Sequence, residues 1–313
     1  MSLQHTLPRS LWLLLVGLTL CWGFNWPMMK IALAEMPVWS FRAACIAGGA
    51  AGLFAIARFQ RLPVRLREGQ FKRLALASLF NVTGWNVLIG YGVSLMPSGR
   101  SAILAYTMPL WTVILAALFL REPFTLRKAA GVALGMGGLA LLLGPELMRL
   151  DAAPAGTLFI LAAAMSWATG TIIMRHWPVD LPTTSFVAWQ LLLGGLPVLL
   201  GAVVLEQGRL QPLSPAATSA LLYSVLIAFV FCHWAWFKLA TTAPASIAAM
   251  STMMIPVVGV FSGMMVLGEQ PRWQEYAALL LVTLALATVL IPGRNAVRNA
   301  KSVAGPGQSG HSA

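Results

Sequence analysis

Long apolar runs separated by short polar stretches dominate the chain. Each run has roughly the 20 residues that a helix needs to cross a bilayer core of about 30 Å. Strands of a membrane barrel would be about half as long and would alternate apolar and polar residues, which these runs do not. The runs are residues 10–33, 37–57, 74–95, 99–120, 126–144, 155–175, 182–205, 216–237, 243–267 and 273–291. We therefore predict an all-α membrane protein with ten transmembrane helices.

The chain also repeats itself at a nearly fixed spacing, which indicates two equivalent halves. Three residues recur 147 positions later: Pro97, Pro109 and Glu122 correspond to Pro244, Pro256 and Glu269. Four others recur 145 positions later: Trp22, Lys30, Pro37 and Phe41 correspond to Trp167, Arg175, Pro182 and Phe186. Because five helices precede the second copy, that copy is predicted to be upside down in the membrane, with a central cavity between the two inverted five-helix repeats.

These patterns divide the chain into four parts. Residues 1–144 form the first five-helix repeat, and residues 145–154 form a linker. Residues 155–291 form the second, inverted repeat, and residues 292–313 form a disordered basic tail in the cytoplasm. With the amino terminus inside, fifteen of the 21 Lys and Arg residues fall on the inner side. The other six fall on the outer side: Lys30, Arg42, Arg100, Arg149, Arg209 and Arg272. The positive-inside rule then places both termini in the cytoplasm.

Composition agrees with this interpretation and excludes other classes of protein. The chain is 58% hydrophobic and 10% charged, whereas soluble domains carry about 25% charged residues. Its net charge of +12 is spread over short gaps between apolar runs, so a nucleic-acid-binding face is not expected. Cys21, Cys45 and Cys232 lie inside apolar runs and are predicted to be free. Nucleophile–base sets and metal-ligand motifs are missing, so we predict no enzyme, no metal and no cofactor.

Two short turns carry a family resemblance. Leu120-Arg121-Glu122-Pro123 leads into Gly131, and its partner is Leu267-Gly268-Glu269-Gln270-Pro271. Duplicated at this spacing, the turns resemble the EamA-type repeat of the drug/metabolite transporter superfamily, in which a Glu-Pro turn joins the fourth and fifth helices of each half. The second half departs from the pattern, with Ala278 in place of the glycine at Gly131. The resemblance implies an exporter of metabolites in the inner membrane of a bacterial cell, and chain length and aromatic content are similar to those of the aromatic amino-acid exporters.

Polar groups inside a bilayer are costly, so those near the middle of a span are candidates for a substrate site. In the third span Asn81, Trp85 and Asn86 lie at i, i+4 and i+5, close to one helical face. In the eighth span His233 occupies the position equivalent to Asn86, and Trp236 follows it by three residues. We predict that these residues line a pocket. The alternative is that each polar side chain hydrogen-bonds a neighbouring helix.

The first span contains a second group of candidates. Trp22 and its repeat equivalent Trp167 lie deeper than an interfacial belt of aromatic residues requires. Asn25 precedes Pro27, which removes a backbone donor and permits a kink. A kinked first helix could act as a gate, and a kink that is simply packed over is the alternative.

The repeated prolines supply the last candidates, because Tyr106 and Met250 precede Pro109 and Pro256. An aromatic ring and a thioether beside helix breaks suit amphipathic organic solutes. The predicted substrate-binding residues are Trp22, Asn25, Asn81, Trp85, Asn86, Tyr106, Trp167, His233, Trp236 and Met250.

Glu122 and Glu269 could carry protons, but both lie at span ends next to prolines. We predict that each caps the helix that follows it, where the helix dipole favours a negative charge.

The sequence therefore predicts a secondary transporter that exports amino acids, aromatic or otherwise amphipathic, and related metabolites by alternating access. The alternatives are a passive facilitator or channel for the same solutes and, less favoured, an exporter of drugs or lipophilic cations. Its expected partners are a small-molecule substrate and membrane lipid, with no nucleic acid, and a monomer is favoured.

Overall fold

The structure is a computed structural model that describes residues 9–147, 155–242 and 245–290. The side chains of residues 143–147, 237, 240–242, 245–252 and 290 lie outside that description, as do most of the predicted linker and the predicted tail at 292–313. The helices are α1 (Arg9–Glu35), α2 (Val38–Phe59), α3 (Gln70–Leu95), α4 (Ser98–Phe119), α5 (Leu126–Leu147), α6 (Ala155–His176), α7 (Thr183–Leu205), α8 (residues 215–242), α9 (Ala245–Leu267) and α10 (Trp273–Leu290).

The all-helical prediction is confirmed for the described residues, which contain no strand. Seven helices in this part of the chain are long and apolar enough to cross a membrane: α1, α2, α3, α4, α6, α7 and the Pro215–Trp236 part of α8. Two shorter apolar stretches follow, Met253–Leu267 in α9 and Trp273–Val289 in α10. Helices satisfy their own backbone hydrogen bonds, which is why apolar runs of this length fold this way in lipid.

Three helices are interrupted near their middle. In α3 and α8 the interruption is π-helical, over Leu79–Gly84 and Tyr223–Phe231 respectively. In α4 the α-helical geometry stops after Ala105 and resumes at Met108, just before Pro109, which has no N–H to donate to the preceding turn. Interruptions of this kind free backbone carbonyls and are frequent at functional sites.

Helices from the first half of the chain pack on helices from the second half. α2 packs against α7 and α5 against α10, while α1 packs against α8 and α9, and α6 packs against α3 and α4. If α1–α5 are matched in order with α6–α10, the contacts of α1 with α8 and α9 correspond to those of α6 with α3 and α4. The α2–α7 and α5–α10 pairs correspond to themselves. One buried apolar core runs through both halves, from Trp26 and Phe41 to Val187 and Val260.

A glycine in α7 permits its close approach to the π-helical part of α3. A Cβ built on Gly194 would lie 2.5 Å from Val82 Cβ and 2.6 Å from the Ser78 carbonyl oxygen. Thr83 Oγ1 donates a hydrogen bond of 2.6 Å to the Gly194 carbonyl across the same contact. Because a backbone carbonyl cannot move aside as a side-chain tip can, only glycine fits at this position.

Replacing Gly194 with valine is expected to destabilise the folded protein by roughly 1–3 kcal/mol, the usual cost of overpacking a core. The melting temperature of the detergent-solubilised protein, followed by far-UV circular dichroism, measures this loss. The matched control is Gly137→Val in α5, where the nearest atom to a Cβ built on the glycine is Leu281 Cδ1 at 3.9 Å. Equal melting temperatures for the two variants would contradict the packing argument.

Candidate functional site

A cavity of about 430 Å³ lies at the centre of the helix bundle. Helices α1–α4 and α6–α9 contribute side chains to its wall, and the described side chains of α5 and α10 do not. Its size falls within the range of about 300–1,000 Å³ that is typical of small-molecule sites.

Nine of the ten predicted substrate-binding residues line this cavity: Trp22, Asn25, Asn81, Trp85, Asn86, Tyr106, Trp167, His233 and Trp236. The tenth, Met250, belongs to α9, but its side chain lies outside the described part of the structure. The structure therefore brings together residues that are up to 214 positions apart in the chain, from Trp22 to Trp236. That they bind a substrate remains a prediction.

The cavity wall also contains polar residues that the sequence analysis missed, chiefly Arg42 and Gln190. Arg42 was counted among the basic residues on the outer side, yet it lies inside α2 and is only 2% exposed. Gln190 lies within α7 and is 8% exposed. Both fall inside apolar runs, so the rule that intramembrane polar residues are functional candidates could have identified them. Trp26 and Met29 also line the cavity, but an apolar residue inside an apolar run cannot be identified as a site residue in this way.

The polar face of α3 is shaped by its π-helical segment. Asn81 Nδ2 donates 2.9 Å to the Trp167 carbonyl of α6, which ties the two helices together. Asn86 Nδ2 donates 2.9 Å to the Val82 carbonyl of its own helix. Since a carbonyl only accepts, this bond fixes the amide orientation, and it leaves Asn86 Oδ1 buried without a partner among the described residues.

The equivalent position in α8 shows a related arrangement. His233 Nδ1 lies 3.0 Å from the Ala228 carbonyl inside the π-helical segment, so this nitrogen carries the proton. Trp22 Nε1 donates to the same carbonyl at 3.2 Å. Among the described residues, Asn86 and His233 thus bond carbonyls of their own helices, whereas Asn81 bonds a neighbouring helix.

Aromatic rings form the walls on two sides of the cavity. The Trp22 ring meets His233 edge-on at 5.5 Å and lies 6.1 Å from Trp236. On α3 and α6, the Trp85 and Trp167 rings meet at 5.1 Å with an angle of 60° between their planes. These rings give the cavity a mainly apolar surface with a few polar groups, which suits an amphipathic solute.

The predicted kink in α1 is compensated by contacts with other helices. The Gly23 carbonyl, which Pro27 cannot bond, accepts a hydrogen bond of 3.2 Å from Ser262 Oγ in α9. Asn25 Oδ1 accepts a bond of 3.1 Å from Ser224 Oγ in α8. The freed carbonyl is therefore satisfied in this structure, and whether α1 acts as a gate remains a prediction.

The two repeated glutamates have different partners. Glu269 accepts bonds from the backbone N–H groups of Ser98 at 2.6 Å and Gly99 at 3.0 Å, so it caps α4. The prediction that it caps the following helix was wrong, because the turn after α9 carries its carboxylate to the start of α4 in the other half. Glu122 instead pairs with Lys128 at 3.3 Å and with Arg175 of α6.

Comparison with known proteins is consistent with this architecture. The model of the EamA-like transporter family matches the chain twice, over residues 10–144 and 154–291. Similar curated proteins include the uncharacterized transporter YoaV of Bacillus subtilis, which is 28% identical over 82% of this chain and 88% of its own length. A probable amino-acid metabolite efflux pump of Salmonella typhimurium is 28% identical over 85% of this chain and 89% of its own length.

Two further comparisons extend over almost the whole chain. A probable terminal-alkyne amino-acid exporter of Streptantibioticus cattleyicolor is 23% identical over 96% of this chain and 99% of its own length. One solved crystal structure superimposes with a TM-score of 0.65, covering 90% of this chain and 98% of the other at 18% identity. That superposition supports the fold alone.

These matches confirm the predicted family and the prediction that the protein is not an enzyme, since the similar proteins are named as transporters or efflux pumps. Its apolar helices are those of a multi-pass membrane protein. The chain belongs to the EamA-like transporter family, a small-molecule transporter family of the drug/metabolite superfamily.

Proposed function

We propose that this transporter exports amino acids, in particular aromatic or otherwise amphipathic ones, and related metabolites across the bacterial inner membrane by alternating access. The observation that carries the proposal is the central cavity, in which tryptophan rings surround a few polar groups. Among the similar proteins, that of Salmonella typhimurium is named as a probable amino-acid metabolite efflux pump, and that of Streptantibioticus cattleyicolor as a probable terminal-alkyne amino-acid exporter. A cavity of about 430 Å³ can hold a single solute of that size.

The proposed transporter has ten transmembrane helices in two inverted repeats, residues 1–144 and 155–291. Two features of the packing support the repeats. The π-helical segments of α3 and α8 overlap when shifted by 147 residues, because Leu79–Gly84 corresponds to 226–231. The contacts of α1 with α8 and α9 also correspond to those of α6 with α3 and α4. An approximate two-fold axis through the cavity produces both correspondences.

We place both termini in the cytoplasm because basic residues concentrate on that side. Lys30 and Arg42 belong to helices rather than to outer loops, which strengthens the asymmetry between the two sides. Lys30 Nζ is bound by three carbonyls at the end of α3, those of Val93, Ser94 and Met96, at 2.8–3.0 Å.

In that orientation the cavity faces the cytoplasm. Met174 near the end of α6 and Phe186 near the start of α7 line it, so it extends towards the α6–α7 connection. At the opposite end Glu269 caps α4, and Glu206 accepts bonds from the backbone N–H groups of Trp39 and Ser40 at the start of α2. These bonds between the halves support closure of the outer end, as an exporter that collects solute from the cytoplasm requires.

Proteoliposomes containing the purified protein and a panel of radiolabelled amino acids provide the test. We expect saturable efflux of at least one aromatic or branched amino acid, together with counterflow when unlabelled solute is added to the other side. The assay is run with and without an imposed pH gradient, which distinguishes proton-coupled from facilitated transport. The Gly137→Val variant, which is expected to remain folded, serves as the control for a substitution outside the cavity.

Other results would favour other functions. Flux that does not saturate, without counterflow, would identify a passive channel for the same solutes. Transport of lipophilic cations in preference to amino acids would identify a drug exporter. Absence of flux for both groups of solutes would refute the proposed function.

A further inference from the structure

Arg42 is a buried positive charge at the wall of the central cavity. Its side chain is 2% exposed, and its Nη2 donates to the sulfur of Met29 at 3.1 Å. A thioether is a weak acceptor that carries no charge. The guanidinium also lies 5.3 Å from the centre of the Phe41 ring, while its Nε has no hydrogen-bond partner among the described residues.

No carboxylate of the described residues lines the cavity. Three carboxylates of the described residues instead accept hydrogen bonds from backbone N–H groups at the starts of helices. Glu269 binds the start of α4, Glu206 the start of α2 and Glu35 the residue Ser214 at the start of α8. A buried charge without an opposite charge is costly by several kcal/mol. Arg42 is therefore positioned to form an ion pair with an anion that is not among the described side chains.

A glycine lets Arg42 pack against the stretch of α3 that carries Asn86. A Cβ built on Gly90 would lie 3.4 Å from Arg42 Nε, so the arginine packs directly on the α3 backbone. Asn86 precedes Gly90 by four residues, about one helical turn or 5.4 Å along the axis. Asn86 Oδ1 is buried without a partner among the described residues, so an unused acceptor lies one turn from an unused donor.

We infer that Arg42 and Asn86 form the head-group subsite of the cavity. Arg42 binds the carboxylate of the transported solute through its planar fork of N–H donors, and Asn86 Oδ1 accepts a hydrogen bond from the solute's ammonium group. The aromatic rings then face the side chain of the solute. This inference rests on the proposed function and deepens it, because it makes a carboxylate the required chemical group.

The test compares solutes that share a side chain and differ in the head group. The phenyl set is L-phenylalanine, 3-phenylpropionate, which lacks the amine, and 2-phenylethylamine, which lacks the carboxylate. The isobutyl set is L-leucine with its two corresponding analogues. Binding to the full-length protein in lipid nanodiscs is followed by tryptophan fluorescence, since Trp22, Trp26, Trp85, Trp167 and Trp236 line the cavity.

We expect both carboxylate-bearing members of at least one set to bind at least about tenfold more tightly than the amine. In Arg42→Gln their affinities are expected to fall by about 10- to 100-fold, the effect of losing charge-assisted hydrogen bonds, with the amine unchanged. Arg127→Gln, which removes an exposed arginine at the start of α5, is the charge-matched control and should bind as wild type. Asn86→Leu should weaken the amino acid about tenfold and leave the amine-free acid unaffected.

A stability measurement separates a binding role from a structural one. Without solute, Arg42→Met is expected to melt at or above the temperature of the wild type, because it removes an uncompensated charge. A lower melting temperature, together with unchanged preference for carboxylates in Arg42→Gln, would assign Arg42 to structure alone and overturn the inference.

The remaining outcomes separate the two proposals. If amino acids bind and are transported equally well by Arg42→Gln, the subsite is refuted and the proposed function stands. If the amine-free acids bind through Arg42 and amino acids do not bind, the subsite stands and amino-acid export fails. If no acid in either set binds more tightly than its amine, the subsite is refuted.

Discussion

Replacing Glu269 with alanine is expected to reduce saturable efflux by about 100-fold and to expose the cavity at the end that is proposed to be closed. The carboxylate holds the Ser98 and Gly99 N–H groups, and no other side chain among the described residues bonds these groups. A hydrogen bond to a charged group contributes about 1.5–3 kcal/mol. Losing about 3 kcal/mol from one of the two proposed alternating states would change their ratio by more than 100-fold.

A reporter in the cavity measures the change in state directly. Met108 lines the cavity, so a Met108→Cys variant in a background without Cys21, Cys45 and Cys232 can be labelled with a membrane-impermeant maleimide. We expect Glu269→Ala to shift labelling from the cytoplasmic to the outer side. Glu269→Gln keeps one acceptor oxygen and should have an intermediate effect.

The control for this variant is Glu35→Ala. Glu35 accepts bonds from Ser214 N at 2.7 Å and from Ser214 Oγ, but this contact is exposed to solvent. Exposed polar contacts contribute little to stability, so efflux and labelling should remain close to wild type. Normal efflux by Glu269→Ala, with unchanged labelling, would contradict a role for Glu269 in closing the cavity.

Filling the cavity is expected to have the second large effect. Thr171 lies on α6 and lines the cavity, so Thr171→Trp places a large ring where the solute is proposed to bind. A tryptophan side chain covers about 150–250 Å² of surface, which is comparable with the whole of a small amino acid. We expect transport to fall to background, with little change in melting temperature because the ring enters empty space.

Thr169→Trp provides the matched control on the same helix. Thr169 donates to the Met165 carbonyl at 2.9 Å in the preceding turn and is absent from the cavity wall. The same substitution should therefore leave transport largely intact. Efflux that survives Thr171→Trp, in protein that is folded and inserted, would show that the solute passes elsewhere.

Much of the candidate site could be predicted because membrane helices obey a simple rule. Polar side chains are rare in lipid, so Asn81, Asn86 and His233 are identifiable from their mid-span positions alone. The repeat supplies the second constraint, since a shift of 147 residues makes Asn86 and His233 equivalent on spacing alone. Nine of the ten predicted residues consequently share one cavity wall.

The parts that escaped prediction depend on contacts between helices. Arg42 was assigned to the outer side by counting charges, because a position five residues after Pro37 does not reveal whether a side chain reaches solvent. Glu269 was predicted to cap the helix that follows it, because its spacing to Pro271 indicates a local turn and carries no information about α4. The bonds of Asn86 and His233 to their own helices depend on π-helical geometry, which has no clear sequence signal.

The sequence by itself determined the helices, the paired halves and the family, because apolar length, residue spacing and repeated turns are local properties of the chain. Only the tertiary structure decided which side chains meet: Arg42 beside the turn that carries Asn86, and Glu269 at the start of α4. The physical reason is that a buried charge or an empty acceptor is defined by its surroundings. Those surroundings come from helices far apart in sequence, packed against one another at small residues such as Gly90 and Gly194.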